Sequence, residues 1–365
     1  MTLILRAAEA ADELAAAIFG ERIAKRLLDP LAPGDFVGLA QRLGVRLWKV
    51  ARPVEERALA AALKATVGTD WTAEGGLGRK LDDLARKLDD ATPEIADGIV
   101  AALGDAGPKL AAATRRSAAG SLEQRVAAGM SAADERTLEH LWTSQGHFVT
   151  NARGERVLFA TARARDIVSQ GLEGGLSNAE IGKALEAGLR DVLVGRSPAY
   201  YDTVASVFAN RSRTFAALTV FEEAGVLRYR WQSVMDKRTS TQCRFMHGRV
   251  FTVRSALDRM RSVEQATDPD AVRSILRWPR LAKATDERPF DYEVGGGERS
   301  RVRSGAEALY YTDADGQRRL LARVDRDSNG DPRFANKASL AELEAAGICL
   351  PPLHGRCRSR IAPER

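Results

Sequence analysis

The chain has 365 residues, a formal net charge of +6 and a pI near 9.3. That length suggests two or three domains, and 44% hydrophobic residues supply ample material for their cores. The charge is far short of a histone-like protein. It is uneven: residues 226–365 carry +8 and the first 225 carry −2. A basic C-terminal region suits either a polyanion partner or a solvated arginine-rich surface. Aromatic residues are only 6%, while alanine and leucine are abundant, which favours helices. No run approaches ~18 uninterrupted apolar residues, so no membrane span is expected. The first residues lack the basic start and long apolar centre of a signal peptide. Three cysteines, Cys243, Cys349 and Cys357, make no even disulfide framework and fit a reducing compartment.

Residues 1–145 read as a helical domain. Leu14, Ile18 and Leu27 fall near helical spacing, and Asp29-Pro30 stops that run. Pro53 before Val54-Glu55-Glu56 predicts a new helix start, with proline at its first position and acids in the first turn. Leu81, Leu84 and Leu88 line one face of an amphipathic segment. Thr92-Pro93-Glu94 opens another helix, expected to end near Gly104. Ser131 with Asp134 caps a helix carrying Leu138 and Leu141. His140 and His147 read as structural residues.

Residues 146–225 read as a connecting region. Phe148-Val149-Thr150 and Val157-Leu158-Phe159 flank Asn151 and Gly154, which predicts a β-hairpin. Helices follow. Gly171 to Gly175 is a turn, and Ser177 with Glu180 makes a capping box ahead of Ile181, Leu185 and Leu189. Tyr200 to Phe221 is a long helix bearing Arg211 and Arg213, closed by Gly225.

Residues 226–365 read as a smaller, basic α+β domain of short strands and hairpins. Val226–Ser233 and Arg249–Val253 are strands. Ser255–Arg261 and Asp270–Leu281 look helical, and 293–303 looks like a flexible basic loop. A hairpin turns at Asp313-Ala314-Asp315-Gly316. Asp325, Asp327, Asn329 and Gly330 copy half of a calcium loop, but Asn336 stands at its twelfth position, which favours a simple turn. Leu340–Ala346 is a short final helix.

Two clusters bracket this domain. One runs from Trp231 through Asp236, Arg238, Cys243, His247 and Gly248 to Phe251. The other is Pro351-Pro352-Leu353-His354-Gly355-Arg356-Cys357-Arg358-Ser359-Arg360. Cys243, His247, His354 and Cys357 supply the four nitrogen and sulfur donors of a tetrahedral zinc site. The same residues also suit a metal-free Cys/His knot held by packing and hydrogen bonds. Trp231 and Phe251 read as core, and Asp236 with Arg238 as a charge-assisted bond within the loop. Arg356, Arg358 and Arg360 form a basic group suited to the phosphates of DNA.

The order of these motifs resembles the phage Mu protein F-like family of minor head proteins, also called phage head morphogenesis proteins, over roughly residues 150–361. In that family each cluster usually carries two cysteines; here Ser240 and Ser359 stand in for one of each pair, and Gly355 for the proline after the histidine. The resemblance implies a non-enzymatic structural protein of the virion. It would lie inside the capsid, present in the host cytoplasm during assembly, and associate with portal protein and with major capsid or scaffold protein. Packaged double-stranded DNA would be contacted without sequence preference. The alternatives are a metal-dependent nuclease, with His247 activating water over an ion, and a zinc-containing DNA-binding protein.

Overall fold

A computed structural model describes residues 33–364 apart from 65, 67–69, 72–75, 123–131, 196, 267–268, 285–290, 295–297, 302–304 and 336. The expected helix bearing Leu14, Ile18 and Leu27 lies outside the described residues, as do Ser131 and Asn336. The N-terminal half is helical, and the C-terminal part is a smaller α+β arrangement of antiparallel sheets. No helix among the described residues is long and apolar enough to cross a membrane.

The helical part contains α1 (Pro33–Lys64), α2 (Gly76–Asp89), α3 (Thr92–Ser121), α4 (Ala132–Glu173), α5 (Asn178–Arg190), a π-turn at Asp191–Gly195, and α6 (Ser197–Glu223). Two sequence expectations are corrected here. Pro53 lies inside α1 rather than opening a helix. The buried stripe Ala40, Leu43, Leu47, Ala51, Val54 and Ala58 keeps helical spacing across it, so burial of one continuous face outweighs the hydrogen bond that proline removes. Likewise α3 opens at Thr92 but runs past Gly104 and Pro108 to Ser121, carried by buried Leu110, Ala111 and Ala118.

The predicted hairpin at 148–159 is also corrected: it lies within the 42-residue α4. Val157, Ala160, Ala164 and Val168 recur every three or four residues and are buried, whereas Leu158 and Phe159 are 72% and 55% exposed. These small and branched side chains pack against Leu81, Leu84 and Leu88 of α2 and Ile181, Leu185 and Leu189 of α5. Tertiary packing overrides the local β preference. The Ser177–Glu180 capping box forms as expected, with Ser177 N–H donating to Glu180 at 2.8 Å.

Helix α6 is buried on almost every side from Val204 onward. It buries Asn210, Ser212, Arg213 and Thr214 along with its apolar residues, as a helix enclosed by other elements must. It packs on α1, α3 and α4 and, from the other side, on the C-terminal part. The largest core therefore runs without interruption from Leu43 and Ile99 through Phe208 and Phe221 to Trp231, Phe251 and Ile361.

The C-terminal part contains β1 (Arg228–Gln232), α7 (Thr241–Met246), β2 (Val250–Thr252), α8 (Val253–Glu264), α9 (Pro269–Ile275), β3 (Arg280–Lys283), β4 (Asp291–Val294), β5 (Glu298–Arg301), β6 (Glu307–Thr312), β7 (Arg318–Arg326), β8 (Pro332–Ala335), α10 (Leu340–Ala345) and β9 (Arg360–Pro363). Three antiparallel sheets have the orders β2-β1-β9, β3-β6-β7-β8 and β4-β5. Two more expectations change. The helix predicted to reach Leu281 stops at Ile275, and Leu281 sits in β3 opposite Leu309. The supposed loop at 293–303 contains the paired strands β4 and β5. The Asp313–Gly316 turn does connect β6 to β7. Asp327 closes the β7–β8 turn by accepting the Asn329 and Asp331 N–H groups, each at 3.0 Å, which is the turn chemistry rather than a calcium loop.

Candidate metal centre

Strand β1 alternates basic exposed residues with buried aromatics: Tyr229 and Trp231 are fully buried, while Arg228 and Arg230 face out. It pairs on one side with β2, which follows the first cluster, and on the other with β9, which follows the second. The β1–β9 register sets Trp231 opposite Ile361 and Gln232 opposite Arg360. This pairing brings together two clusters more than a hundred residues apart.

The first cluster leaves β1 through Ser233. Its hydroxyl accepts the Trp231 indole N–H at 3.1 Å and donates to the Cys243 carbonyl at 2.7 Å. Ser240 caps α7 by accepting the Cys243 N–H at 3.3 Å, which places Cys243 in the helix's first turn rather than in an open loop. Gly248 turns the chain into β2 with φ near +80°, a conformation suited to glycine. The second cluster begins with the buried cis Pro351–Pro352 pair. It is clamped from behind by α6. Asn210 donates to the carbonyls of Cys357 at 2.7 Å and Ser359 at 3.3 Å, and Arg213 also donates to Ser359. Burial pushes the Arg213 guanidinium down to about 10. A Cβ at Gly355 would lie 2.4 Å from Thr203 of α6, so this close approach calls for glycine.

Cys243, His354 and Cys357 converge. Cys243 Sγ lies 3.6 Å from Cys357 Sγ and 3.1 Å from His354 Nε2, and all three donor atoms fall within 4.8 Å of one another. A tetrahedral zinc with ~2.3 Å bonds to sulfur and ~2.0 Å to nitrogen separates its donors by about 3.5–3.8 Å. The Cys243–Cys357 separation is already close to that range, and Cys243 and His354 would have to part by a few tenths of an ångström to reach it. Both cysteines are buried and unoxidised. Hydrogen bonding with Cys357 and then burial push the Cys243 thiol up. Burial opposes the Cys357 thiolate, but hydrogen bonds from Cys243 and His354 overcome it and hold its pKa well below the ordinary thiol value. The pair thus favours one thiolate stabilised by its neighbour's proton, a starting point for binding a soft cation. The third cysteine, Cys349, lies apart, with its backbone carbonyl accepting the Tyr229 hydroxyl. Burial pushes its thiol up to about 12.

His247, expected as the fourth ligand, is not in this group. It caps the C-terminus of α7, its ring is exposed, and Nδ1 accepts the Ser233 N–H at 3.1 Å. The helical turn that places Cys243 inward leaves His247, four residues on, committed to the backbone of β1's exit. The Asp236–Arg238 pairing is corrected as well. Arg238 contributes its backbone N–H to Asp236 at 2.9 Å, and the charged partner is Arg358, bidentate at 2.8 and 2.5 Å. This fork holds the Asp236 carboxyl well below the usual carboxylate range.

Trp231 and Phe251 are core residues, 0% and 2% exposed. The three arginines proposed for DNA each engage a partner: Arg356 sits 3.1 Å from Asp202, Arg358 holds Asp236, and Arg360 donates to Gln232 at 3.0 Å. Arg356 remains 60% exposed and Arg358 only 19%. Sequence reasoning missed Asn210, Arg213 and Ser233, whose buried polar groups organise the centre. None carries a local sequence signal for that role. Comparisons with protein-family models, curated proteins and solved structures found no match to this chain.

Proposed function

We propose that this chain is a structural, non-enzymatic protein of a phage head, a minor head protein of the Mu F-like kind, with a zinc ion held by Cys243, His354 and Cys357. The observation that carries the reading is the closure of the two clusters that resemble that family into one knot. Trp231, Phe251, Pro351, Pro352 and Cys357 are buried there together, and Asp236 of the first cluster clasps Arg358 of the second. The centre serves stability: it ties β1 and β9 to each other and, through Asn210 and Arg213, to the central helix. Zinc in such a place contributes its binding free energy to folding. The positive charge of residues 226–365 supports a place beside packaged double-stranded DNA, where arginine and lysine neutralise phosphate without reading sequence. Portal protein and the major capsid or scaffold protein are the partners. The test is co-expression of the tagged chain with a phage's portal, capsid and scaffold proteins, followed by sedimentation. Co-migration with procapsids supports the reading. Exclusion from every particle overturns it. Elemental analysis of the purified chain tests the zinc separately, with about one zinc per chain expected.

A further inference from the structure

Three protein donors leave a tetrahedral ion one position short. The nearest remaining protein atoms that could fill it are two serine hydroxyls, and they are not equivalent. Ser359 is 1% exposed; its Oγ donates to Cys243 Sγ at 3.2 Å and lies 3.0 Å from Ser233 Oγ, so it belongs to the buried network beneath the centre. Ser240 is half-buried, 3.0 Å from His354 Nε2, and already accepts the Cys243 N–H as a helix cap. A neutral hydroxyl engaged in this way is a poor competitor for zinc beside thiolate and imidazole, the ligands that ion prefers.

Beside Ser240 lies a small cavity of ≈ 10 Å³. Its walls include Ser240, Cys243 and His354, the buried Ser359, and the three arginines Arg238, Arg356 and Arg358. The volume corresponds to about one water-sized occupant. The cavity's charge is also informative. A divalent ion neutralised by two thiolates would sit beside three arginines, with Asp236 and Asp202 as the carboxylates paired to two of them. A site with that surplus of positive charge prefers an anion to a neutral ligand.

Building on the zinc reading above, we infer that the fourth coordination position is exchangeable and takes a water or a small monodentate anion, such as chloride, azide or thiocyanate, in the arginine-lined cavity beside Ser240. The centre is thereby a three-ligand site with one open position rather than a closed four-ligand one. The space holds only the donor atom, so the rest of a linear azide or thiocyanate would extend past the exposed Arg238 and Arg356.

The test uses the full reduced chain loaded with cobalt(II), whose thiolate charge-transfer absorption reports binding and whose visible d–d bands report coordination. Thiocyanate and azide are titrated in turn. The expected result is charge-transfer absorption from the outset and a saturable shift of the d–d bands with either anion. Ser240→Cys supplies a third thiolate at the open position. Its charge-transfer intensity should rise about 1.5-fold, in proportion to the number of thiolates, and its anion response should vanish. Charge-transfer absorption with d–d bands that no anion moves in the unaltered chain would overturn the open position while leaving the metal in place. Absence of charge-transfer absorption would overturn the metal centre itself, and this inference with it. The titration of the unaltered chain decides the matter even if the cysteine variant does not fold.

Discussion

Asn210→Ala should loosen the knot more than the rest of the domain. Asn210 is fully buried, and its amide nitrogen supplies hydrogen bonds to the carbonyls of Cys357 and Ser359. Ser359 retains Arg213 as a donor, whereas the Cys357 carbonyl loses this buried partner. A buried acceptor left unsatisfied costs about 1–3 kcal/mol, and the weaker second bond adds about 0.5–1.5, so a net loss of roughly 2–4 kcal/mol is expected. Since each 1.4 kcal/mol is a factor of ten, local opening should become about 30- to 1000-fold more frequent. The assay is native-state alkylation of the metal-free protein, followed by peptide mass spectrometry. Cys357 reports the knot, and Cys349, buried in the largest core with its carbonyl bonded to Tyr229, is the internal control. In the regime where reclosing outpaces alkylation, the labelling rate tracks the open population. The Cys357 rate should rise within that range while the Cys349 rate changes far less. An unchanged ratio of the two rates would refute the view that α6 clamps the second cluster through Asn210.

Gly154→Ala places a methyl group in open space inside α4, so thermal or urea unfolding should show a gain of about 0.5–1 kcal/mol; a loss would restore the hairpin reading of this segment. The depressed pKa of Asp236 means that its ionised form stabilises the fold above the unfolded carboxylate value and that this contribution is lost as pH falls through the folded value. Asp236→Asn should therefore lower Tm at neutral pH, with the gap to the unaltered chain narrowing below about pH 4; a pH-independent gap would contradict the ion pair with Arg358. A chelator should lower the Tm of the zinc-loaded chain and leave the Tm of His354→Ala unchanged, and equal chelator effects in both would remove His354 from the ligand set. Arg356→Ala should weaken DNA binding about equally for every sequence and reduce the salt slope by about one, as measured by fluorescence anisotropy across a salt series; a sequence-selective loss would argue for base reading.

Several elements were legible because their causes are local. The Ser177–Glu180 box, the Asp313–Gly316 turn, the β1 alternation and the Leu81–Leu84–Leu88 face each depend on residues within one or two turns of chain. The misread segments share a different feature. Asn151 and Gly154 look like a turn, and Pro53 looks like a helix start, only while their neighbours in space are unknown. Val157, Ala160, Ala164 and Val168 of α4 and the stripe of α1 that crosses Pro53 are buried against neighbouring helices. That burial outweighs single-residue preferences of about 1 kcal/mol for glycine and about 3 kcal/mol for proline.

The same division holds at the metal centre. By itself the sequence determined which residue types could bind a soft cation, that they occur in two clusters, and that Trp231 and Phe251 beside them would be buried. Only the tertiary structure decided which donors meet. Cys-x3-His spacing in the first cluster suggested that Cys243 and His247 act together, yet α7 turns one inward and leaves the other bonded to Ser233. His354 and Cys357 join Cys243 because β9 pairs with β1 and Asn210 holds the returning chain. Arg358 rather than Arg238 becomes the partner of Asp236 for the same reason. Caps, turns and amphipathic faces arise from interactions within a few residues. A ligand set, by contrast, depends on strand register and helix docking across more than a hundred residues, and no local spacing encodes that closure.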